Sequence, residues 1–432
     1  MDDHMHSAAK APLISVLMAN FNGDAHLRAA MQSVLAQTHP ALELILSDDG
    51  SQDRSIAIVQ EIMANDGRVR LLRSETPTGP AGARNRALEA ARGSWVAIVD
   101  SDDIIHPERL TLMLSAAKSL QADMVADDLI FFAQDLSENP RTLFQDLDLV
   151  QPEMIDAQAL IEGRLPGRRN VALGYVKPLI RRAAIGDIRY NPDLRVDEDH
   201  DFYLRLLLSG ARFTLIPDAM YLYRRHAASL SHRFSVAKLQ PMIAVQKALV
   251  DALPADRADL RPALLRRIET HEQHLHYAQL IDALKARRAF AALGLLVRYP
   301  ASWTMLAHTL KERSLRKRQQ PAATQKRMKI ILCASGDMTG AVCPGFNVVQ
   351  VPDAPASGWT RSAAAIWANL ARMSCEYDLD IIAVGRAGSF ALGLVPVLRS
   401  ARVVDAYEDI QIGPREATAD QPRHAANYAR SL

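Results

Sequence analysis

The chain has 432 residues, of which 49% are hydrophobic and 23% are charged. This balance is typical of a globular protein that buries a large core, and the length predicts two or three structural units. The formal net charge of only +2 leaves no general electrostatic case for binding nucleic acid, so we expect no nucleic-acid partner.

Cysteine content and hydropathy indicate the compartment. The cysteines Cys333, Cys343 and Cys375 form no C-x-x-C pair, so neither a disulfide framework nor a structural zinc site is predicted. Residues 1–10 are polar and carry no secretory signal, and the apolar stretch 289–297 is too short to span a bilayer. We therefore expect a cytoplasmic protein that is not integral to a membrane.

Residues 12–133 alternate short apolar runs with amphipathic segments. The pattern predicts strands at 13–18, 42–47, 69–72 and 95–99, with helices at 24–37, 51–64 and 82–92 between them. Such alternation is typical of an α/β protein with a parallel, doubly wound sheet, in which ligands bind beyond the carboxyl ends of the strands.

The rest of the chain divides into segments of different pattern. No clear period covers 135–170, whereas a helix is predicted at 197–209 and a strand at 212–216. Residues 236–320 have a helical pattern and end in basic residues, and strands at 328–333, 379–384 and 403–404 with a helix at 362–373 indicate a small α/β unit. We predict three units, at 11–235, 236–320 and 327–432, the last without an identifiable role.

Polar residues follow three of the predicted strands. These are Asn20-Phe21-Asn22, Asp48-Asp49-Gly50-Ser51 and Asp100-Ser101-Asp102-Asp103. Clustered carboxylates repel one another unless a cation or hydrogen-bond donors compensate. The D-x-D arrangement supplies the hard oxygen ligands that Mg²⁺ or Mn²⁺ shares with phosphate oxygens. The sequence therefore predicts a divalent-cation site at this edge of the sheet.

Three downstream stretches complete a recognisable order of motifs. They are residues 79–88 (GPAGARNRAL), 198–206 (EDHDFYLRL) and 223–231 (YRRHAASLS). Together with the strand-end motifs, they resemble the GT-A fold, a Rossmann-like domain, of the family 2 glycosyltransferases. Residues 18–22, 99–103 and 126–129 are also similar to succinoglycan-type exopolysaccharide glycosyltransferases.

This resemblance implies a nucleotide-sugar donor, a UDP-hexose with glucose preferred, and a role for each motif residue. Asp49 would accept a hydrogen bond from uracil, with Ala19 and Phe21 lining the base pocket. Arg84 would lie near the nucleotide, and Asp100 and Ser101 near the ribose and the metal.

The resemblance also implies the reaction centre. Asp102 would ligate the divalent cation, Mn²⁺ or Mg²⁺, with His226 as a further metal ligand or a packed loop histidine. Asp199 would be the general base that removes the proton from the acceptor hydroxyl. Glu198 and Lys177 would lie on the acceptor side. In-line displacement would invert the anomeric centre.

The implied acceptor is a saccharide or lipid-linked saccharide of bacterial cell-surface polysaccharide synthesis. The basic run 311–318 predicts peripheral contact with anionic lipid at the inner face of the plasma membrane, and a solvated helix end is the alternative. The alternative to an enzyme is an inactive nucleotide-sugar-binding or scaffold protein of a polysaccharide assembly. Intact Asp49, Asp102 and Asp199 argue against that alternative.

Several motif residues also have purely structural interpretations. Asp48-Asp49-Gly50-Ser51 suits a turn and helix cap. Glu198 and Asp199 open a helix, where acidic residues are favoured by the helix dipole. Lys177 could instead lie on a solvated surface. The run from His271 to His276 does not have metal-ligand spacing and is predicted to be surface helix.

Overall fold

A computed structural model describes residues 11–133, 141–144, 147, 149–164, 171–225 and 235–307, and the backbone of five strands between 326 and 412. His226, the run 311–318 and the predicted helix 362–373 lie outside these residues. Within the described ranges, the chain up to residue 225 contributes ten strands to one mixed sheet.

The strands of this sheet carry the motifs. Their bounds are β1 (Ile14–Asn20), β2 (Leu42–Asp48), β3 (Val69–Arg73), β4 (Trp95–Ile98), β5 (Ile104–Ile105), β6 (Met124–Ala133), β7 (Arg141–Thr142), β8 (Glu153–Ile155), β9 (Leu179–Arg181) and β10 (Phe213–Arg225).

The helices connect and cover these strands. They are α1 (Asp24–Leu35), α2 (Ser55–Asn65), α3 (Gly79–Ala90), α4 (Arg109–Ser119), α5 (Ala157–Glu162), α6 (Arg182–Ile185), α7 (Glu198–Leu208), α8 (Val236–Asp251), α9 (Arg261–Lys285) and α10 (Ala289–Arg298).

The strand order is β3-β2-β1-β4-β9-β6-β10-β5, with β7 beside β6 and β8 beside β10. Strands β1 to β4 are mutually parallel, and Asn20 is level with Asp48 in the register of β1 and β2. Leu17 of β1 is level with Ile98, the last residue of β4. The chain therefore leaves β1, β2 and β4 at one edge of the sheet, as the motifs predicted.

Both faces of the central strands are buried, which explains their continuous apolar sequences. Alternate residues of β1 point to opposite faces. Leu17 joins a cluster with Ile45 and Phe202, whereas Val16 joins a second cluster with Leu27 and Leu110. The four predicted strands of this part agree with the structure to within two residues, and the α/β class is confirmed.

Strand β9 was not predicted. It is only three residues long and inserts antiparallel between β4 and β6. A segment this short carries no periodic signal, and its partners are distant in sequence. The predicted strand 212–216 is also much longer in the structure, since β10 continues through two register shifts to Arg225.

The helices after residue 235 pack into the same core as the sheet. Ile243 of α8 and Leu264 and Ile268 of α9 belong to the cluster that contains Phe202 of α7. His271 is buried and hydrogen-bonds Gln246, so the prediction that this residue lies on the surface was wrong. The three unit boundaries stay predictions. Within the described residues, no helix is both long and apolar enough to cross a membrane.

A second sheet follows. It consists of β11 (Lys326–Ala334), β12 (Asn347–Val351), β13 (Tyr377–Val384), β14 (Ala401–Asp405) and β15 (Gln411–Ile412), in the order β12-β11-β13-β14-β15. Strands β11 to β14 pair in parallel. The strands predicted at 328–333, 379–384 and 403–404 are confirmed.

Candidate active site

Asn20 and Asp48, at the ends of β1 and β2, organise the first turn of the site. The Asn20 side chain donates to the Asp48 carboxylate at 3.0 Å and to the Ser51 hydroxyl at 3.2 Å. Asp48 also accepts the backbone N–H groups of Gly50 and Ser51. Asp48 therefore has the turn-forming role of the structural interpretation. Ala19 is partly exposed, and the Phe21 ring beside this turn is 54% exposed.

Asp49 is buried and holds the start of α3. Its carboxylate accepts the backbone N–H groups of Thr78 at 2.8 Å and Gly79 at 2.7 Å, and the Arg86 guanidinium at 2.8 Å. Burial by itself raises the pKa of Asp49, but these hydrogen bonds outweigh it and lower the pKa. The capping contacts explain why α3 begins at Gly79 rather than at 82. Recognition of uracil by Asp49 stays a prediction.

A buried charge cluster lies between α3, the end of β4, the segment before β9 and the start of α7. Its members are Arg84, Asp100, Lys177, Glu198 and Asp199. Arg84 pairs with Glu198 at 2.5 Å and with Asp100 at 2.7 Å. Lys177 Nζ lies 2.8 Å from Asp100 Oδ2 and 2.7 Å from Asp199 Oδ2. The cluster thus joins the strand-end acid motif to the acidic start of α7.

The cluster contains three carboxylates and two cations, and their mutual attraction sets the protonation states. Burial alone would lower the pKa of Arg84 and of Lys177, but the surrounding carboxylates raise both well above their ordinary values. For Asp100, burial opposes ionisation, yet Lys177 and Arg84 lower the pKa below its usual range. Burial outweighs Arg84 at Glu198 and raises the pKa of that carboxyl. Both cations therefore stay charged.

The two oxygens of Asp199 have different partners within this cluster. Its Oδ2 accepts from Lys177, whereas the buried Oδ1 accepts no hydrogen bond from the described part of the chain and lies 3.5 Å from Arg84 Nη1. A carboxylate oxygen without a donor can accept a hydroxyl proton. Lys177 is buried, so its alternative position on a solvated surface was wrong.

The three acids after β4 have different environments. Asp103 is buried and accepts the Tyr221 hydroxyl and the Arg224 backbone N–H, both at 2.7 Å, and burial together with Asp102 and Asp100 raises its pKa. Asp100 is bound to Arg84 and Lys177. Asp102 is partly exposed, as is Ser101. Asp102 is therefore the acid of this motif whose position best suits a metal ion.

The donor set fits a cation that is shared with substrate. Across the described ranges, no group of three or more His, Cys, Asp or Glu side chains is arranged to hold a metal ion. Mg²⁺ commonly binds through one or two carboxylates together with substrate phosphates and water, rather than in an all-protein cage. Asp102 with a diphosphate would satisfy that chemistry. His226 lies outside the described residues.

Sequence reasoning missed one ion pair that supports the cluster. Arg109 is fully buried, donates to both oxygens of Asp127 at 2.7 and 2.8 Å, and also donates to the Lys177 carbonyl oxygen. It thereby fixes the backbone that carries Lys177. A signal was present, because an aspartate in the apolar run of β6 is costly to bury without a charged partner.

The fold and this acid-rich edge define an α/β enzyme in which parallel strands deliver carboxylates to one site. Residues 15–171 match the family described as glycosyl transferase family 2. The chain is 30% identical over 286 residues to the succinoglycan biosynthesis protein ExoO of Rhizobium meliloti. The aligned region covers 66% of this chain and 81% of that protein. It is 31% identical over 307 residues to the succinoglycan biosynthesis protein ExoU of the same organism, and the aligned region covers 69% of this chain and 86% of ExoU.

The chain belongs to glycosyl transferase family 2 and is a glycosyltransferase, which confirms the resemblance and the GT-A prediction. Among solved structures, it is similar to S. aureus TarS 1-349 in complex with UDP, with a TM-score of 0.47 and 18% identity over 67% of this chain and 91% of that one.

Proposed function

We propose that this glycosyltransferase moves a hexose, glucose by preference, from a UDP-sugar to a saccharide or lipid-linked saccharide acceptor in exopolysaccharide synthesis. The observation that carries the proposal is the Lys177 bridge, because it places Asp199 beside the acid motif at the end of β4. The assignment to exopolysaccharide synthesis is supported by the names of ExoO and ExoU, both succinoglycan biosynthesis proteins.

Asp199 acts as the general base in this proposal. Its Oδ1 accepts the proton of an acceptor hydroxyl while the hydroxyl oxygen forms a bond to the anomeric carbon of the donor. The bond from that carbon to the diphosphate breaks in the same displacement, and its electrons leave with UDP. A single displacement inverts the anomeric centre, so an α-linked donor yields a β-linked product.

Lys177 and Arg84 position this base rather than exchange protons with it. Both cations stay protonated, so neither competes for the acceptor proton. Lys177 holds Asp199 through Oδ2 and leaves Oδ1 directed elsewhere. Asp102 would hold a divalent cation, Mn²⁺ or Mg²⁺, which neutralises charge on the departing diphosphate. Phe21, which is exposed, and Ala19, which is partly exposed, lie beside the Asp48 turn and would contact the uracil base.

The test measures UDP release from UDP-glucose with Mn²⁺, with Mg²⁺ and after chelation. Asp199→Asn should lower kcat by about 10²–10⁴-fold and keep donor affinity, because the amide cannot accept the proton and carries no charge that pairs with Lys177. Asp102→Ala should weaken metal-dependent donor binding. Asp201→Asn is the matched control, since Asp201 lies two residues along α7 and pairs with Arg205 instead.

Two outcomes would contradict the proposal. If the wild-type chain neither binds nor hydrolyses UDP-glucose with either metal, the donor assignment fails. An α-linked product from an α-linked donor, read by NMR, would exclude inversion. A screen of UDP-, GDP- and TDP-sugars identifies the donor in either case. Donor binding with no transfer to any acceptor would favour the inactive scaffold protein.

A further inference from the structure

Helix α10 has two apolar faces, and among the described residues only one of them packs against another helix. Ala292, Leu295 and Leu296 pack against Leu280 and Ala283 of α9. Phe290, Leu293 and Val297 recur at helical spacing on the opposite side. Phe290 is 93% exposed and Val297 75% exposed. These outward side chains contribute little to the core, so their apolar character needs another explanation.

Another large apolar residue is exposed a few positions after the end of α10. Residues 301–307 are again helical, and Trp303 is largely exposed there. We define the α10 face as Phe290, Leu293 and Val297. Large exposed apolar groups this close together commonly mark an interaction surface. Trp and Phe are also the side chains that favour the boundary between lipid tails and headgroups.

The charged residues at sequence positions 283–307, which include α10, have one sign. Between residues 283 and 307 the sequence contains no aspartate or glutamate, and its charged residues are Lys285, Arg287, Arg288 and Arg298. All four are exposed, and they lie before and after the apolar stretch rather than within it. An apolar face bordered by cations is the pattern of a helix that lies in the interface of an anionic membrane.

We propose that the α10 face inserts into the headgroup boundary of a membrane that contains anionic lipid, with the flanking cations on the lipid phosphates. The α10 face includes no residue of the basic run 311–318. Neither α10 nor any other helix of the described residues is suited to cross the bilayer, so this contact is peripheral. Delivery to a lipid-linked acceptor rests on the proposed function, whereas binding to vesicles does not.

The first experiment is co-sedimentation of the full chain with vesicles, without donor or acceptor. Wild type should bind vesicles of phosphatidylcholine with phosphatidylglycerol, and the double variant Phe290→Glu, Val297→Glu should partition about tenfold less, since apolar area and charge both drive such binding. The matched control is Val150→Glu, Met154→Glu, which alters two exposed apolar residues elsewhere. This control should bind like wild type.

A second readout tests insertion itself. Quenching of tryptophan fluorescence by lipids brominated in their tails should be reduced in Trp303→Phe, because Trp303 would lie within reach of the bromine atoms. Protein held to vesicles only through the basic run would leave Trp303 in water, so equal quenching in the two proteins would overturn the proposal. Equal vesicle binding by wild type and the α10 double variant would overturn it as well.

Two further measurements separate the remaining outcomes. If the double variant lowers the native mass in ultracentrifugation and leaves vesicle binding unchanged, the α10 face joins two copies of the chain and the membrane proposal is wrong. UDP release with a water-soluble acceptor should be unchanged in the double variant. If wild type binds vesicles but does not bind UDP-glucose, the proposed function is wrong and the membrane proposal is unaffected.

Discussion

Lys177 occupies the centre of the charge cluster, within 2.8 Å of one carboxylate of the strand-end motif and one of α7. At the scale of single residues, its ammonium has two tasks. It compensates Asp100 and Asp199, two acids that would otherwise repel each other, and it fixes which oxygen of Asp199 accepts a hydrogen bond. Arg84 performs the same compensation for Glu198 and Asp100.

Lys177→Met should therefore lower the stability of the protein as well as its activity. Removing one partner of a buried ion pair leaves uncompensated charge, and we expect the free energy of unfolding to fall by roughly 3–5 kcal/mol. Urea unfolding measures this change. Lys247→Met is the control, because Lys247 pairs with Glu272 on the surface and such pairs contribute only about 0–1 kcal/mol. Similar losses in both variants would contradict the compensating role.

The burial of Asp128 predicts that the stability of the protein depends on pH. Burial raises its pKa to about 7, against hydrogen bonds from the backbone N–H groups of Phe144 and Leu129. The folded state therefore holds the proton more tightly than the unfolded chain, in which aspartate titrates near pH ~4. This contribution to stability is fully present below that pH and is lost as the pH rises towards about 7.

Asp128→Asn should remove this contribution. Between about pH 4 and 7, the wild-type protein loses the Asp128 contribution as the pH rises, and the variant has none to lose. The slope of the free energy of unfolding against pH should therefore be more negative in wild type than in the variant, by up to ~1.4 kcal/mol per pH unit. Buried His200 and His271, with pKa values lowered to about 4, act in the opposite direction in both proteins. The difference between the two curves is therefore the measurement, and parallel curves would contradict the prediction.

At the scale of elements, α7 is held from outside the sheet. Asp197, the residue before α7, has a positive φ of 67°, a conformation that costs energy in a residue with a side chain. Arg267 of α9 donates to both of its carboxylate oxygens at 2.9 Å. Burial opposes ionisation of Asp197, but Arg267 lowers its pKa. A helix far along the chain thus sets the backbone immediately before Glu198 and Asp199.

Arg267→Met should loosen the start of α7. We expect the free energy of unfolding to fall by roughly 1.5–3 kcal/mol, the range for hydrogen bonds to charged groups, and kcat to fall because Asp199 loses its fixed position. Arg266→Met is the matched control, since Arg266 pairs with Glu162 at the exposed surface. An unchanged kcat in Arg267→Met would show that α9 does not position the base.

At the scale of the whole molecule, the helices after 235 complete the core of the sheet rather than standing beside it. A chain cut after 235 would expose the apolar residues of α5 and α7 that α8 and α9 cover. We expect a fragment 1–235 to lack a cooperative thermal transition and a fragment 1–307 to show one. Differential scanning calorimetry distinguishes them, and a cooperative transition in the shorter fragment would support an independent domain ending at 235.

The sequence by itself determined strands β1 to β4, the order of the motifs and the edge of the sheet at which their acids meet. Buried parallel strands require continuous apolar runs, and parallel strands place their carboxyl ends together. The prediction that Asp100 and Asp199 belong to one site depended on family resemblance, and the structure brings them together through Lys177.

Only the tertiary structure decided how these residues are held. Arg84 and Glu198 are 114 positions apart in sequence. Strand β9 inserts between β4 and β6, and no pattern of apolar residues in the sequence predicts these partners. Burial of Lys177 and Arg109, and the contact of Arg267 with Asp197, depend on which elements pack together. Apolar periodicity records local structure. An aspartate in an apolar run, such as Asp127 in β6, signals that a charged partner exists, but only the fold shows which distant residue that partner is.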